Sequence, residues 1–300
     1  MEIRVLKYFL AVAREGNFTA AANSLYITQP TLSRQIMDLE RELGKSLFTR
    51  TKRGVALTED GVLLQRYAEN IIAMMEKAES ELMDVSASLK GDIIIGGAEV
   101  EDVRFLMKEL SKFKEENPQV RLHFLSENRS AVLDKLDQGL LDFGIVLGEP
   151  EIPRFSSLPL PSKTHWGLLV PASHPLAGQA SVTAQELLTL PLITPMRIEE
   201  KLSFRDWIGT IGAESLHITG EYLLFYYARM MVEEGLGCAL CIEGLLPPGD
   251  KEKLVFLPLD PPLPCDTFLI WRRHIRMGRT PAAFLEQLKQ AMEADASSRK

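Results

Sequence analysis

Apolar residues between positions 29 and 43 recur at helical spacing. Leu32, Ile36, Leu39 and Leu43 lie four, three and four residues apart, so they line one face of a predicted helix. The polar side chains of this segment fall on the opposite face, namely Thr31, Arg34, Gln35 and Asp38. The pattern indicates a helix that packs on one side and leaves a polar surface on the other.

The flanking residues predict a compact unit around this helix. Thr28 is placed to cap it, and Pro30 suits its first turn because proline lacks the amide that has no partner there. An earlier apolar stripe predicts a helix that ends at Gly16-Asn17, and Thr19 is placed to cap the next one. After Gly44, two short apolar runs flank a basic tip, which is typical of a β-hairpin wing.

A helix, a tight turn and a second helix with a polar face are typical of a helix-turn-helix. The first turn of the second helix would enter the major groove, where hydroxyl, amide and guanidinium groups reach base edges. The candidates there are Thr28, Gln29, Pro30, Thr31, Ser33, Arg34 and Gln35. On the wing, Arg50, Lys52 and Arg53 are candidates for phosphate or minor-groove contact. The alternative is a small helical bundle with a solvated charged loop.

A long helix is predicted from residue 59 to residue 89. Its apolar positions recur at threes and fours, at Leu64, Tyr67, Ile71, Met74, Ala78, Leu82, Val85 and Leu89. We expect this seam to pair with a second copy of the helix. The alternative is that the helix packs on its own domain.

From residue 91 onward, short apolar strands alternate with helices, which predicts an α/β fold of parallel sheets with helices on their faces, arranged in two lobes. The chain crosses between the lobes near Leu160-Pro161 and Pro264-Cys265. The predicted domains are residues 1–58, a linker helix at 59–90 and a domain at 91–300. Within the last, lobe I covers about 91–161 and 266–300, and lobe II covers about 162–265.

Charge is unevenly distributed along the chain. The net charge is −7, but residues 1–60 carry nine Lys/Arg and seven Asp/Glu, a balance of +2, which leaves −9 for the rest. A mildly basic head on an acidic body fits local rather than general nucleic-acid binding. No apolar run approaches a membrane span and the first residues do not resemble a signal peptide, so a cytoplasmic protein without membrane association is expected.

Enzyme chemistry has little support in the sequence. The five histidines are scattered without metal-ligand spacing, and neither a G-x-S-x-G motif nor a P-loop lysine is present. Cys238 and Cys241 lie three apart in a predicted buried strand, so they point to opposite faces and are expected to be core thiols. We therefore predict no catalytic residue, no metal site and no cofactor.

A set of residues at the N-terminus keeps a fixed order and spacing without a gap, namely Leu6, Phe9, Val12, Gly16, Asn17, Phe18, Thr19, Ala21, Ala22, Leu25, Thr28, Gln29, Pro30, Leu32, Ser33, Ile36, Leu39, Glu40, Leu43, Gly44, Leu47, Phe48, Arg50, Leu57, Thr58 and Gly61. With these residues, the first 60 positions closely resemble the LysR-type transcriptional regulators. It implies a winged helix-turn-helix, a dimerising linker helix and a periplasmic-binding-protein-like sensor domain. The implied partners are double-stranded DNA with a near-palindromic operator, a small-molecule effector, and further copies of the chain in a dimer or tetramer.

In α/β sheets of this type, ligands lie beyond the carboxyl ends of the strands, here between the lobes. That rule nominates Ala98, Glu99, Val100, Glu101, Asn128, Thr194, Met196, Tyr222 and Ile242, which match the family's effector loops by location. Many family members have Ser or Thr after the first strand, where this chain has Glu99 and Glu101. These carboxylates either stabilise a helix N-terminus or exclude acidic effectors, which would favour a neutral or cationic ligand.

The sequence thus predicts a sequence-specific DNA-binding transcription regulator that responds to a small molecule. The competing hypothesis is a solute-binding or enzyme module whose N-terminal helices serve only oligomerisation.

Overall fold

The computed structural model describes residues 1–51, 54–82, 88–148, 153–161, 164–196, 198, 202–209, 212–246 and 253–298. These residues form two compact units, Met1–Ala87 and Ser88–Lys300. Lys52 and Arg53 of the predicted wing tip, and Val85 of the predicted seam, lie outside the described residues.

The first unit is a helical head with a two-stranded wing. Its elements are α1 (Ile3–Glu15), α2 (Phe18–Ser24), α3 (Gln29–Leu43), β1 (Phe48–Thr51), β2 (Gly54–Leu57) and α4 (Glu59–Leu82). The predicted helix-turn-helix and hairpin are confirmed as secondary structure. The linker helix is confirmed from Glu59 to Leu82, but the prediction that it continues to residue 89 is wrong, because residues 88–90 are not helical and Leu89 packs against the core of lobe I. Thr51 pairs with Gly54 at the tip of the antiparallel hairpin.

Three residues of the predicted apolar face of α3 are buried in the head, since Leu32, Ile36 and Leu39 are at most 2% exposed. Leu43, predicted on the same face, is 40% exposed because it lies at the end of the helix. Phe48 of the wing contacts this core, with its ring centroid 5.3 Å from that of Phe9 and 5.8 Å from that of Phe18. The wing is therefore held on the helices by aromatic packing, which accounts for a large share of the burial in small cores.

Gly54 permits a close approach between the wing and the end of α1. A Cβ at this position would lie 2.2 Å from the Gly16 carbonyl oxygen, and that same oxygen accepts a hydrogen bond from the Val55 amide at 2.8 Å. Any larger side chain at Gly54 would displace the wing.

The prediction that Thr19 caps α2 is wrong. Asn17 is the N-cap residue, and its side-chain oxygen accepts hydrogen bonds from the amides of Thr19 at 2.8 Å and Ala20 at 3.1 Å. Thr28 does occupy the N-cap position of α3, but its hydroxyl contacts the Thr31 hydroxyl at 2.8 Å rather than a backbone amide. Helix α2 therefore begins two residues earlier than a Thr19 cap would place it.

The second unit contains two sheets covered by helices. Its first part is β3 (Gly91–Gly97), α5 (Val103–Glu116), β4 (Val120–Ser126), α6 (Arg129–Asp137), β5 (Phe143–Leu147) and β6 (Phe155–Pro159). The chain then forms β7 (Trp166–Pro171), β8 (Val182–Thr183), α7 (Ala184–Leu187), β9 (Leu192–Pro195), α8 (Leu202–Ile208), β10 (Ile218–Tyr222), α9 (Phe225–Glu233), β11 (Cys238–Ile242) and β12 (Leu254–Asp260). It returns through β13 (Thr267–Arg272) and α10 (Arg279–Ser298).

The sheets correspond to the two predicted lobes. Lobe I has the strand order β4-β3-β5-β13-β6, and lobe II has β10-β9-β11-β7-β12-β8. Both sheets are mixed rather than parallel, because β13 runs antiparallel to β5 and β6, and β7 runs antiparallel to β11 and β12. The strands that follow the two crossovers, β7 and β13, run opposite to their neighbours β11 and β5. The alternation of strands and helices along the chain does not reveal this direction.

Both faces of each sheet are buried. In lobe II, Cys238 belongs to the core on one face and Cys241 to the core on the other. Both thiols are reduced and buried, as is Cys265, and burial raises the pKa values of the Cys238 and Cys241 thiols. The prediction of core thiols is confirmed.

Thr194, one of the nominated effector residues, lies with Pro195 in a strand and not in a loop. Strand β9 pairs in parallel with β10 and β11. The short run Leu192-Ile193-Thr194 between two prolines is fully buried because β9 lies between β10 and β11 and has a core on each face of the sheet.

Candidate DNA-reading helix and effector cleft

The N-terminal turn of α3 presents polar groups to solvent. Thr28, Gln29, Pro30, Thr31 and Arg34 are exposed, whereas Ser33 and Gln35 are half-buried at the flanks. Arg34 forms no ion pair among the residues that the structure describes, so its guanidinium is available to a ligand. The helix has the shape that groove reading needs, with one apolar face anchored and one polar face presented.

Two structural features beside this helix were not predicted from the sequence. Tyr26, in the turn before α3, has a positive φ of 55° and is 96% exposed. Glu40 on α3 accepts hydrogen bonds from the amides of Leu47 at 2.6 Å and Phe48 at 3.2 Å, which anchors the start of the wing to the reading helix. On the wing itself, Arg50 is exposed.

Helix α4 has two apolar faces. Leu64, Ala68 and Ile72 pack against the core of the head. A separate stripe is exposed, made of Leu63 (48%), Tyr67 (52%), Ile71 (39%) and Met74 (46%). Residues of the predicted seam therefore lie on two faces, with Leu64 packed on the head and Tyr67, Ile71 and Met74 exposed beside Leu63, which was not predicted.

In the second unit, the loop after β3 carries the predicted carboxylates. Gly97, the last residue of β3, lies close to the backbone of β5. A Cβ at this position would be 2.4 Å from the Ile145 carbonyl oxygen, so only glycine fits. The following residues, Ala98, Glu99 and Val100, line a cavity of about 270 Å³. The rest of its lining is mostly apolar and comes from β3, α5, β4 and β5, at Ile95, Gly97, Val103, Met107, Phe124, Leu125, Ser126 and Ile145.

The two candidate carboxylates have different partners. Glu101 accepts a hydrogen bond from Arg104, which holds the pKa of Glu101 below its ordinary value. Glu99 accepts a hydrogen bond from the Ser126 hydroxyl and forms no ion pair within the described part of the chain. The negative charge of Glu99 at the cavity is therefore not neutralised by a neighbouring cation.

None of the other predicted effector residues lines this cavity, whose lining belongs to lobe I alone and not to the boundary between the lobes where the ligand was predicted. Asn128 caps α6, since its side-chain oxygen accepts a hydrogen bond from the Ala131 amide at 2.9 Å. Met196 is 53% exposed at the end of β9. Thr194 is fully buried, and its hydroxyl has no hydrogen-bond partner among the described residues.

Tyr222 and Ile242 belong to the interior of lobe II. The Tyr222 hydroxyl donates to the Leu240 carbonyl at 2.8 Å, and burial raises the pKa of Tyr222 well above its ordinary value. Ile242 is 4% exposed and pairs with Trp166 across β11 and β7. Sequence location alone placed them near strand ends, but the side chains point into the two cores rather than into open space.

A groove-reading helix on a winged head, followed by a two-lobed α/β domain with a cavity at a strand end, defines a ligand-responsive DNA-binding regulator. Two family profiles cover nearly the whole chain. The one described as "Bacterial regulatory helix-turn-helix protein, lysR family" matches residues 3–62, and the one described as "LysR substrate binding domain" matches residues 86–293. The chain belongs to the LysR family of transcriptional regulators.

Relatives and solved structures agree with this assignment. The uncharacterized HTH-type transcriptional regulator YwbI of Bacillus subtilis is 34% identical over 291 residues, which covers 96% of each chain. The HTH-type transcriptional regulator BudR of Raoultella terrigena is 30% identical, covering 95% of this chain and 99% of BudR. The crystal structure of full-length CbnR complexed with its target DNA has a TM-score of 0.72 at 20% identity, covering 97% of this chain and 99% of that one, which shows the shared fold.

These findings favour the regulator over a solute-binding or enzyme module with N-terminal helices that only oligomerise. No helix within the described part of the chain is long and apolar enough to cross a membrane.

Proposed function

We propose that the chain regulates transcription by reading a near-palindromic operator with the first turn of α3. The observation that carries this proposal is the division of α3 into a buried apolar face and an exposed face bearing Gln29, Thr31 and Arg34. Thr28, Pro30, Ser33 and Gln35 border the same surface. Arg50 supports it from the wing by contacting phosphate, and Tyr26 adds a hydroxyl that suits the same role.

Two reading helices need a fixed spacing, which we assign to α4. The exposed stripe of Leu63, Tyr67, Ile71 and Met74 follows heptad-like spacing, and a second copy of the helix would cover it. The buried face of α4 holds each helix on its own head, so pairing would set the separation of the heads. Half-sites are then expected about one helical turn apart, or a multiple of it.

A mobility-shift titration tests DNA reading. The full chain is mixed with DNA from upstream of its own gene and with a shuffled duplex of equal composition, over a series of salt concentrations. We expect tighter binding to the upstream DNA, and a steep fall in affinity for both duplexes as salt rises, because phosphate contacts release counterions. Equal affinity for both duplexes at every salt concentration would contradict the assignment of α3 as a reading helix.

We further propose that the effector is a small neutral or cationic molecule with an apolar part. Glu99 supports this class, because its carboxylate borders a mostly apolar cavity and has no cationic partner among the described residues. Glu99 is exposed at the mouth of the cavity, so an anion bound there would meet a second negative charge, with a repulsion that solvent and salt partly screen. Ala98 and Val100 are the further candidates for contact because they line the same cavity, whereas Thr194, Tyr222 and Ile242 are left out because they are buried in lobe II.

Matched probes test the effector class. Benzylamine, benzyl alcohol and benzoate differ mainly in charge, and their effect on the melting temperature of the full chain would be compared at equal concentrations. We expect stabilisation by the amine or the alcohol and none by benzoate, with the preference for the amine lost in Glu99→Gln. Tight binding of benzoate or a simple dicarboxylate that depends on Ala98 and Val100 would contradict the proposal.

A further inference from the structure

One aspartate joins three segments of the effector domain. The Asp102 carboxylate, directly before α5, accepts a hydrogen bond from the Thr164 hydroxyl on Oδ1 at 2.5 Å. Its other oxygen accepts one from the Thr267 hydroxyl at 2.6 Å. Thr164 lies on the crossover that enters lobe II, and Thr267 lies where the chain re-enters lobe I.

The two crossovers are bonded to each other at the same place. The Cys265 amide donates to the Thr164 carbonyl at 2.9 Å, and the Trp166 amide donates to the Leu263 carbonyl at 2.9 Å. Thr267 also continues into lobe I, since its carbonyl accepts a hydrogen bond from the Leu160 amide at 2.8 Å. Asp102 thus holds one hydroxyl from each strand of the joint between the lobes.

These bonds are partly shielded from water, with the two hydroxyls on the buried side and the Asp102 carboxylate half-buried. Thr267 is fully buried and Thr164 is 9% exposed. A buried hydroxyl that loses its acceptor pays the desolvation cost of the unpaired group, and a bond to a carboxylate is stronger than a neutral one. Moving the Asp102 carboxylate away from the two hydroxyls would therefore cost free energy, which stabilises the observed arrangement of the two crossovers.

The residues just before Asp102 also contact lobe II. Val100 packs against the buried core of lobe I and against that of lobe II. Glu101 lies beside Gly244 of lobe II, where a Cβ would be 3.1 Å from the Cβ of Glu101. The segment from Glu99 to Asp102 therefore runs from the cavity, across the lobe boundary, to the joint.

We propose that Asp102 is a positioning residue that couples the loop at the cavity to the angle between the lobes. A ligand that displaces Glu99 or Val100 shifts a short segment whose far end is fixed to both crossovers. The displacement is passed to the joint because only two residues separate Glu99 from Asp102. Its meaning for regulation rests on the proposed function, but the coupling itself is a property of the ligand-free chain.

Hydrogen exchange on the full, ligand-free chain tests the joint. In Asp102→Ala, amides of the crossovers, such as those of Trp166 and Cys265, are expected to exchange about tenfold faster, because two buried hydrogen bonds are lost. Thr164→Val and Thr267→Val each remove one bond and should give smaller increases. The matched control is Asp134→Asn, an exposed carboxylate of the same lobe on α6, which should leave the crossovers unchanged.

A measurement of the distance between the lobes distinguishes a role in positioning the lobes from a general contribution to the stability of lobe I. Spin labels at Ser130 in lobe I and Glu234 in lobe II, both exposed, would report the distribution of lobe separations. We expect Asp102→Ala to broaden or shift this distribution, and Thr164→Val to add little in an Asp102→Ala background because the bond is already gone.

Unchanged crossover exchange in folded Asp102→Ala would overturn the proposal, as would faster exchange spread evenly over lobe I with no change in lobe separation. If Asp102→Ala does not fold, the two threonine variants decide, since each must loosen the crossovers by itself. Because these measurements use no ligand, they are independent of the effector class proposed for the cavity.

Discussion

Arg34→Ala gives the sharpest test of the reading helix, because the side chain does little else in the free protein. Arg34 is exposed and forms no ion pair among the described residues. Alanine also has the higher helix propensity, so the free energy of unfolding should change by less than about 0.5 kcal/mol. A change in DNA affinity would then report the interface rather than a damaged head.

The expected loss follows from the contact that arginine makes with a guanine edge. One such bidentate pair is worth about 1–3 kcal/mol of discrimination, and thus roughly 5- to 140-fold in affinity at each half-site. Removal of one positive charge also weakens binding to any duplex, because an attraction to phosphate is lost, but this sequence-independent loss is smaller than the loss of the guanine contact. The ratio of specific to non-specific affinity should therefore fall, rather than both affinities falling equally.

Arg41→Ala is the matched control. Arg41 lies two turns further along α3, about 10.5 Å away at 1.5 Å per residue, and is paired with Asp38 at 2.7 Å. It removes the same charge from the same helix but lies beyond the turn that enters the groove. Fluorescence anisotropy with the operator, with an operator that keeps one half-site and with a shuffled duplex would measure both variants. If Arg34→Ala and Arg41→Ala lower the affinity for all three duplexes equally, Arg34 contacts phosphate and the reasoning fails.

Four further outcomes are expected from the structure. Ile71→Glu in the exposed α4 stripe should shift sedimentation toward the monomer. Val62→Glu should not, because Val62 is also exposed but lies about 100° from Leu63 around the helix. Equal association of both variants would exclude this stripe as the interface. Asn17→Ala should lower the free energy of unfolding of the head by about 1 kcal/mol in denaturant titration, and Thr19→Ala should cost less because Thr19 does not cap α2. Burial opposes the ionised form of Asp92, but hydrogen bonds from Arg121 and His123 outweigh that effect and lower the pKa of Asp92 below 3.8. The ionised carboxylate therefore stabilises the folded chain above pH 3.8, and this stabilisation is lost as the pH falls through the pKa of the folded state. In Asp92→Asn, the free energy of unfolding should depend less steeply on pH in that range. Iodoacetamide at pH 8 should leave the three buried thiols of the native chain unmodified and alkylate all three after unfolding, and rapid native labelling of Cys241 would contradict its burial and raised pKa.

Much of the head was predictable because its information is local. The spacing of Leu32, Ile36 and Leu39 determines which face of α3 is buried, and Gly16 ends α1 with a positive φ of 60° as expected. The capping residue was harder to predict, because Asn17 and Thr19 both suit an N-cap and only the backbone geometry decides between them. For α4, periodicity detected an apolar seam but did not separate the face that packs on the head from the exposed stripe.

In the effector domain, the order of most strands and helices follows from the sequence pattern, as does the place where the chain crosses between lobes. The direction of β7, β12 and β13 and the strand character of Thr194 do not, because they depend on which distant segments pair in each sheet. The rule that ligands lie at strand ends located the loop at Glu99, but it also nominated Tyr222 and Ile242. Whether a side chain near a strand end points outward or into a core is set by the pleat and by the helices that cover the sheet.

The sequence by itself determined the family, the reading helix and the unusual carboxylates after the first strand of the effector domain, because each depends on residue types at short, fixed spacings. Only the tertiary structure distinguished the two carboxylates, since Arg104 pairs with Glu101 while Glu99 borders the cavity beside Ser126. It alone also brought Asp102 to Thr164 and Thr267, which lie 62 and 165 residues away in the chain. The physical reason is that the two crossovers meet only after both sheets have formed, so no local pattern records the buried hydrogen bonds that join them.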